Sequence, residues 1–316
     1  MKYVVAVDIG GTEIKSALVN DAFDIISTAS TATPKPDPDG QLTLTLIEKI
    51  VREYSLQHEV SAVGLGVLGV FDDALGICRW SGNLGWKNFP IRDQLQDRLG
   101  IPVAAGHDIR TAGVAEHRDG AAAGYKNSVF IAIGTGIAAA LVIDGKIRYS
   151  DGFAGEIGHI NVNGDFDCVC GKKGCLEAAS SALSISTAYR NRTGDAKTTE
   201  EIANLVSAGD AVATEIWNTA ALALARGCEY VITMLAPEAI VFGGGLARSG
   251  ELLLKPIRNY LENSLTFQRM PELKVAHYGA KAGAVGCAML AFDLAEVRND
   301  LMRYGWVADV RVSRRL

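Results

Sequence analysis

One imidazole and three thiols stand close together in the chain, spaced His159-x8-Cys168-x-Cys170-x4-Cys175. Soft thiolates with one imidazole are the donor set of a closed, tetrahedral zinc site, a kind that holds structure and does not activate water. The loop between them is polar and glycine-rich (Asn163, Gly164, Asp165, Gly171, Gly174), so burial cannot fix its shape and a metal staple can. Three free cysteines on a loop is the plainer alternative. In a reducing compartment, though, such clustering argues for metal and against disulfides. Two carboxylates flank the ligands, Glu156 before His159 and Glu177 after Cys175, so a bound metal would hold both near one place. The second ring nitrogen of His159 remains to reach a hydroxyl or a carboxylate.

Four glycine-bearing turns follow apolar strands: Gly10-Gly11-Thr12, Gly66 to Gly69, Gly134-Thr135-Gly136 and Gly243-Gly244-Gly245. Successive backbone N–H groups in such a turn form an anion-binding nest, and glycine lets a ligand approach closely. Any one of them could be an ordinary turn; their recurrence at strand ends points to phosphate. No Walker A sequence is present, which sets P-loop chemistry aside. Gly134-Thr-Gly136-Ile-Ala-Ala139 mimics a dinucleotide fingerprint, but that fingerprint must open a helix. Here Ile137–Ile143 is apolar and ends in Asp144-Gly145, a hairpin signal. A nicotinamide-dependent dehydrogenase is therefore a poor fit.

The third chemical group is Asp108, in Gly106-His107-Asp108-Ile-Arg-Thr-Ala-Gly113. It follows a strand and opens a helix, a position that suits a plain N-cap. An aspartate there could equally take a proton from a hydroxyl, and the residues alone leave both readings open. Ser81-Gly-Asn83-Leu-Gly-Trp86 adds an amide that can both donate and accept. Trp86 reads as a packing residue.

The elements that must position these groups repeat. Tyr3–Asp8, Ile14–Val19 and Asp24–Ser27 read as a strand meander, Leu42–Tyr54 as a helix and Ala62–Leu68 as a buried strand. Val129–Ile133, Ile137–Ile143 and Ala239–Phe242 repeat the plan, with an insertion over about 150–180 that carries the cysteines. Asp108–Arg118, Asp210–Leu235 and Lys281–Leu294 read as helices. Strands interleaved with helices in two similar halves imply an α/β protein with an internal duplication.

Asp8-Ile-Gly-Gly-Thr-Glu-Ile-Lys15 resembles the opening phosphate motif of sugar kinases of the actin-like ATPase superfamily. Gly155-Glu-Ile-Gly-His159 followed by Cys168-Val-Cys170-Gly-Lys-Lys-Gly-Cys175-Leu-Glu177 closely resembles the signature of the ROK family. The likeness runs over nearly the whole chain and keeps the motif order. It implies a two-domain actin-like ATPase (ribonuclease H-like) fold, with a duplicated mixed sheet and a cleft between domains. It implies an ATP- and Mg²⁺-dependent sugar kinase with a structural Zn²⁺ on His159, Cys168, Cys170 and Cys175. By the same resemblance ATP meets Asp8, Gly10, Gly11, Thr12, Lys15, Gly134, Thr135, Gly136, Gly243, Gly244 and Gly245. The sugar meets Asn83, His107, Asp108, Glu156, His159 and Glu177, with Asp108 as base. Two positions depart from the family: His107 stands where Asn is usual before the base, and Ala138-Ala139-Ala140 where more glycine is usual.

The Asn83–Trp86 loop resembles that of bacterial glucokinases, so glucose to glucose 6-phosphate is the expected reaction. N-acetylmannosamine or N-acetylglucosamine kinase is the alternative, since both share the signature, and a non-catalytic sugar-sensing ROK regulator is the second. Some relatives use polyphosphate as donor. A chain of 316 residues with 48% hydrophobic and 21% charged residues suits two domains. The expected boundaries are 1–113, joined by a terminal helix over about 297–316, and 114–296. A net charge of −5 without a basic block excludes a nucleic-acid surface, leaving Arg311, Arg314 and Arg315 as a solvated tail. The first apolar run is too short for a signal, and no stretch is long enough to span a membrane. A cytoplasmic homodimer, or a tetramer, is expected.

Overall fold

The computed structural model describes residues 2–303, without the side chains of 297–303. The part of the expected terminal helix beyond 303, and the three tail arginines, lie outside the described residues. The first half runs β1 (Tyr3–Ile9), β2 (Glu13–Asn20), β3 (Ile25–Ala32), α1 (Gln41–Ser55), β4 (Val60–Val67), β5 (Val70–Asp72), β6 (Ile77–Ser81), β7 (Trp86–Phe89), α2 (Ile91–Leu99), β8 (Val103–His107) and α3 (Asp108–Arg118). The second runs β9 (Ser128–Ile133), β10 (Ile137–Ile143), β11 (Lys146–Ile147), α4 (Leu176–Ser180), α5 (Ala182–Thr193), α6 (Thr199–Ser207), α7 (Ala211–Leu235), β12 (Ala239–Gly243), α8 (Glu251–Ser264), β13 (Glu272–Val275) and α9 (Ala282–Arg303).

The duplication is plain in the strand order. One sheet is β3-β2-β1-β4-β8 and the other β11-β10-β9-β12-β13. In each, the first three strands are antiparallel and the last two join in parallel. Because β10 returns antiparallel against β9, the turn at 134–136 opens a hairpin and not a helix, which removes the dinucleotide reading. The β5-β6-β7 sheet is an addition to the first half that the strand pattern did not predict.

Two compact units result, residues 2–111 with 284–303, and Ala112–Gly283. The expected boundary at 296 falls inside α9, and burial explains the difference. Cys287, Ala288, Ala291, Phe292 and Ala295 pack on Val4, Ala6, Ala17, Val19 and Ala62 of the first sheet. Gly64 permits this approach, since a side chain there would run into the backbone of Cys287. Leu44, Ile47 and Val51 of α1 and Ile91 and Leu95 of α2 cover the opposite face. In the second unit α4 to α8 bury Ile185, Ile202, Trp217, Leu224 and Ile257 against Ile131, Ile133 and Ile240. The long α7 starts on a true N-cap, with Asp210 Oδ1 accepting from Ala213 N at 2.8 Å.

Candidate active site

In the first unit the polar groups gather at the carboxyl ends of β1, β4 and β8, the end where parallel strands of α/β sheets present ligand sites. Asp8 is registered with Gly66 of β4, and Val67 of β4 with His107 of β8. Burial pushes Asp8 up to about 6, helped by the nearby Asp108 and opposed by Lys15. Lys15 is the cross-strand partner of Asp8 on β2. No described donor bonds the Asp8 carboxylate, which fits it for a cation. The Gly10–Thr12 turn is tied by Gly10 N to Glu13 O at 3.1 Å and by Thr33 Oγ1 to Gly10 O at 2.7 Å. Asn83, at the exposed tip of the β6–β7 hairpin, lies against this turn: a Cβ on Gly11 would stand 3.1 Å from that of Asn83. Trp86 is 1% exposed, packs at a tilt against the Phe89 ring and donates Nε1–H to Asp37 O at 2.9 Å, so it packs as expected.

Asp108 opens α3. Its Oδ1 accepts from Ile109 N at 2.7 Å, and burial pushes its carboxyl up to about 6 against the pull of that N–H and of Arg110. The mount is stiff. Arg110, 1% exposed, donates to Asp73 Oδ2 and to Phe71 O, both at 2.7 Å. Asp73 Oδ1 in turn accepts from His107 N at 3.2 Å. This Asp73–Arg110 pair went unrecognised in the sequence, where nothing separates Asp73 from its neighbour Asp72.

In the second unit the Gly134–Gly136 turn is closed by Gly134 N to Gly136 O at 2.9 Å. Glu177, in the first turn of α4, reaches that turn and accepts from Ile137 N at 2.9 Å through Oε2. The other oxygen accepts no described donor. Gly155-Glu-Ile-Gly-His159 lies along β10, with Ala139 N donating to Gly155 O at 2.8 Å. Gly155 has φ 97°, and a side chain there would strike the Ala139 carbonyl. Gly155→Ala is therefore expected to cost about 2–4 kcal/mol by strain and overlap, read as a lowered melting temperature. Gly134 and Gly245 differ: a Cβ on either meets nothing within 4 Å. Neither packing nor a positive φ calls for glycine at these two positions.

His159, Cys168, Cys170 and Cys175 converge, with all four ligand atoms within 4.8 Å of one another. Cys168 Sγ is 3.8 Å from His159 Nδ1, and Cys170 Sγ is 3.6 Å from Cys175 Sγ. A tetrahedral zinc with bonds of about 2.0–2.3 Å has ligand atoms roughly 3.3–3.8 Å apart; these two pairs stand at that spacing, and the whole set spreads to no more than 4.8 Å. The Asn161↔Cys175 and Asp167↔Lys173 bridges fold the loop back on itself. Cys175 precedes α4 directly, so whatever holds its sulfur also holds Glu177. Glu156 is half-buried one turn before His159, with no described donor on its carboxylate. Gly243–Gly245 closes β12 before a short 3-10 turn, Leu246–Ser249. Asp8, Asn83, His107 and Asp108 thus lie in the first unit, and Glu156, His159, Glu177 and the other two glycine turns in the second.

A family model described as the ROK family matches residues 4–293. A glucokinase of Halalkalibacterium halodurans is 31% identical, covering 90% of this chain and 93% of that protein. An N-acetyl-D-glucosamine kinase of Mannheimia succiniciproducens is 30% identical, covering 90% of this chain and 97% of that one. A ROK family glucokinase from Streptomyces griseus, solved in complex with glucose and AMPPNP, superposes with a TM-score of 0.80 at 31% identity. It is matched over 92% of this chain and 99% of its own.

Proposed function

The chain belongs to the ROK family, and on that premise we propose that it transfers the γ-phosphoryl group of ATP to the 6-hydroxyl of glucose, with Asp108 accepting the hydroxyl proton. The observation that carries this reading is the single edge of the first unit. There the Gly10–Thr12 turn after β1, Asn83 against it, and two mutually repelling carboxylates, Asp8 on β1 and Asp108 after β8, with β4 between the two strands, gather at one end of the sheet. Phosphoryl transfer needs alignment and charge stabilisation more than covalent help, and these groups supply both. The turn's N–H groups suit phosphate oxygens. Asp8, without a described donor, would hold Mg²⁺, which would neutralise charge on the phosphates. Gly134 and Gly245, free of any internal need for glycine, support close approach of the nucleotide in the second unit.

Zn²⁺ on the His159–Cys175 cluster would supply shape alone, since four protein ligands leave no open position. With Nδ1 turned to the metal, His159 keeps Nε2 for a sugar hydroxyl. Glu156 and the open oxygen of Glu177 would accept from neighbouring hydroxyls. The same reading makes the protein a cytoplasmic homodimer; the reduced cytoplasm keeps the thiols free to bind metal, and light scattering tests the dimer. The N-acetyl-D-glucosamine kinase relative supports one second reading, with an N-acetylhexosamine as acceptor.

The test is an ADP-release assay against glucose, mannose, fructose, N-acetylglucosamine and N-acetylmannosamine. Glucose is expected to give the highest kcat/KM. A preference for an N-acetylated sugar moves the assignment to the second reading, and no turnover on any sugar by the folded, zinc-loaded protein sinks both.

A further inference from the structure

His107 stands where the resemblance gives asparagine, and its ring does not behave as a spare sugar ligand. It is 6% exposed, and its Nδ1 is turned inward, 3.2 Å from Asp108 Oδ1 and 3.2 Å from Ile109 N. The Ile109 N–H also points to Asp108 Oδ1, at 2.7 Å. One donor therefore bridges two acceptors, which lets a lone pair and a carboxylate stand this close without a proton between them. That geometry fits the tautomer carrying hydrogen on Nε2. It also leaves a basic lone pair beside the oxygen that receives the substrate's proton.

We propose that the proton acceptor of the reaction is the His107–Asp108 pair, with His107 a positioning residue that takes the proton through Asp108. The inference rests on the kinase reading above. The step balances as follows. The sugar O–H bond breaks as its oxygen bonds the γ-phosphorus and the bond from that phosphorus to the bridging oxygen of ADP opens. The proton lands on Asp108 Oδ1 and passes to His107 Nδ1. Asp108 returns to a carboxylate paired with an imidazolium, and Ile109 N–H stays on Oδ1. The proton leaves to water once the products have gone.

The surroundings favour this. In water imidazole is a stronger base than carboxyl, and burial raises the Asp108 carboxyl to about 6, so the proton is shared between two groups of similar basicity. The charges near the pair are Asp8 on β1, with Lys15 and Glu13 of β2 acting on Asp8 itself, Asp73 after β5, and Arg110 on α3. Arg110 is engaged with Asp73, which leaves the Asp108 carboxylate to stabilise the imidazolium. The remaining ionisable neighbour, Cys287 on α9, is held neutral by burial, its thiol pushed up further by Asp8 and Asp108.

An asparagine at 107 cannot take a proton, so the test is His107→Asn in the full-length enzyme. Expected is an acid limb of kcat shifted down by about one pH unit, toward the value near 6 that burial gives Asp108. The KM for the sugar should change little. The second measurement needs no turnover: histidine side-chain NMR of wild type and Asp108→Asn. Loss of the carboxylate is expected to lower the titration point of His107 by about 1–3 units. An acid limb unmoved in His107→Asn, with a changed sugar KM or preference, would overturn the pair and make His107 a sugar ligand. A titration point unmoved in Asp108→Asn would overturn it too. Absence of turnover in the wild type would instead strike the kinase reading, and the NMR arm would still decide the pair.

Discussion

Replacing Asp108 by Asn is expected to lower kcat by about 10²–10⁴-fold, the range contributed by a positioned general base, with the sugar and ATP KM values little changed. The amide keeps the shape and can still meet a hydroxyl, so binding survives while the proton has nowhere to go. The same carboxylate carries a pH signature. Asp8 and Asp108 are both pushed up to about 6 by burial, so wild-type kcat should fall as the pH drops through that region, with the acid limb at or above pH 6. Stability runs the other way. A raised carboxyl binds protons more tightly in the folded than in the unfolded chain, so stability falls as pH rises from about 4 to about 6. Asp108→Asn removes that cost. The variant should be about 1–3 kcal/mol more stable than wild type at pH 7, with the gain vanishing toward pH 4. Thermal melts across pH 4–8 alongside ADP-release kinetics check both halves. Full turnover in the variant would mean another group takes the proton; an inactive variant without the gain would mean Asp108 is not strained by burial.

The cluster of ligands was legible because thiol spacing is a strong signal that no ordinary loop imitates. The duplicated sheet was legible because its hairpins alternate cleanly and close on glycine. The expected third strand stopped at Ser27, however, while β3 runs on to Ala32 through residues that are almost all exposed. An edge strand held by backbone pairing and a Ser30 Oγ–Glu13 Oε2 bond leaves no apolar alternation to read. The same holds for β5 to β7, three to five residues each, too short for a period to appear. α9 runs past its expected end at Leu294 to Arg303. In the sequence Glu116 is one acid among others on a helix. It is fully buried and accepts from Ala121, His277 and Tyr278 backbone N–H groups at 2.8–2.9 Å. The partners at 277 and 278 lie far along the chain, and no local pattern announces such a bond. The sequence marks the glycine turns without distinguishing their needs for glycine. Only the structure separates Gly155 and Gly244, whose Cβ would strike backbone, from Gly134 and Gly245, whose Cβ would meet nothing.

Cys175→Ser is the second change with a large expected effect, and its chemistry isolates the metal from the fold. Serine keeps nearly the same shape and is a better helix cap than cysteine, and Cys175 occupies the position before α4. The hydroxyl is a poor zinc ligand beside two thiolates and an imidazole. The variant should therefore hold its core while losing its staple. Cys168 and Cys170 are not among the buried residues of the core that holds Trp217, Leu224 and Phe242. Zinc content by mass spectrometry should drop from about one per chain to near none. Freed of the metal, the polar 163–174 loop has little apolar surface to order it, and Glu177 and His159 lose a common anchor. The KM for the sugar should rise at least about tenfold, the scale on which metal-site supports act. The KM for ATP should move less, because the Gly10–Thr12 turn lies in the other unit. Treating the wild type with a chelator should reproduce the sugar defect, and zinc should restore it there but not in the variant. A zinc-free variant with unchanged sugar KM would separate the cluster from the substrate altogether, and would leave Glu177 held by its bond to Ile137 N alone.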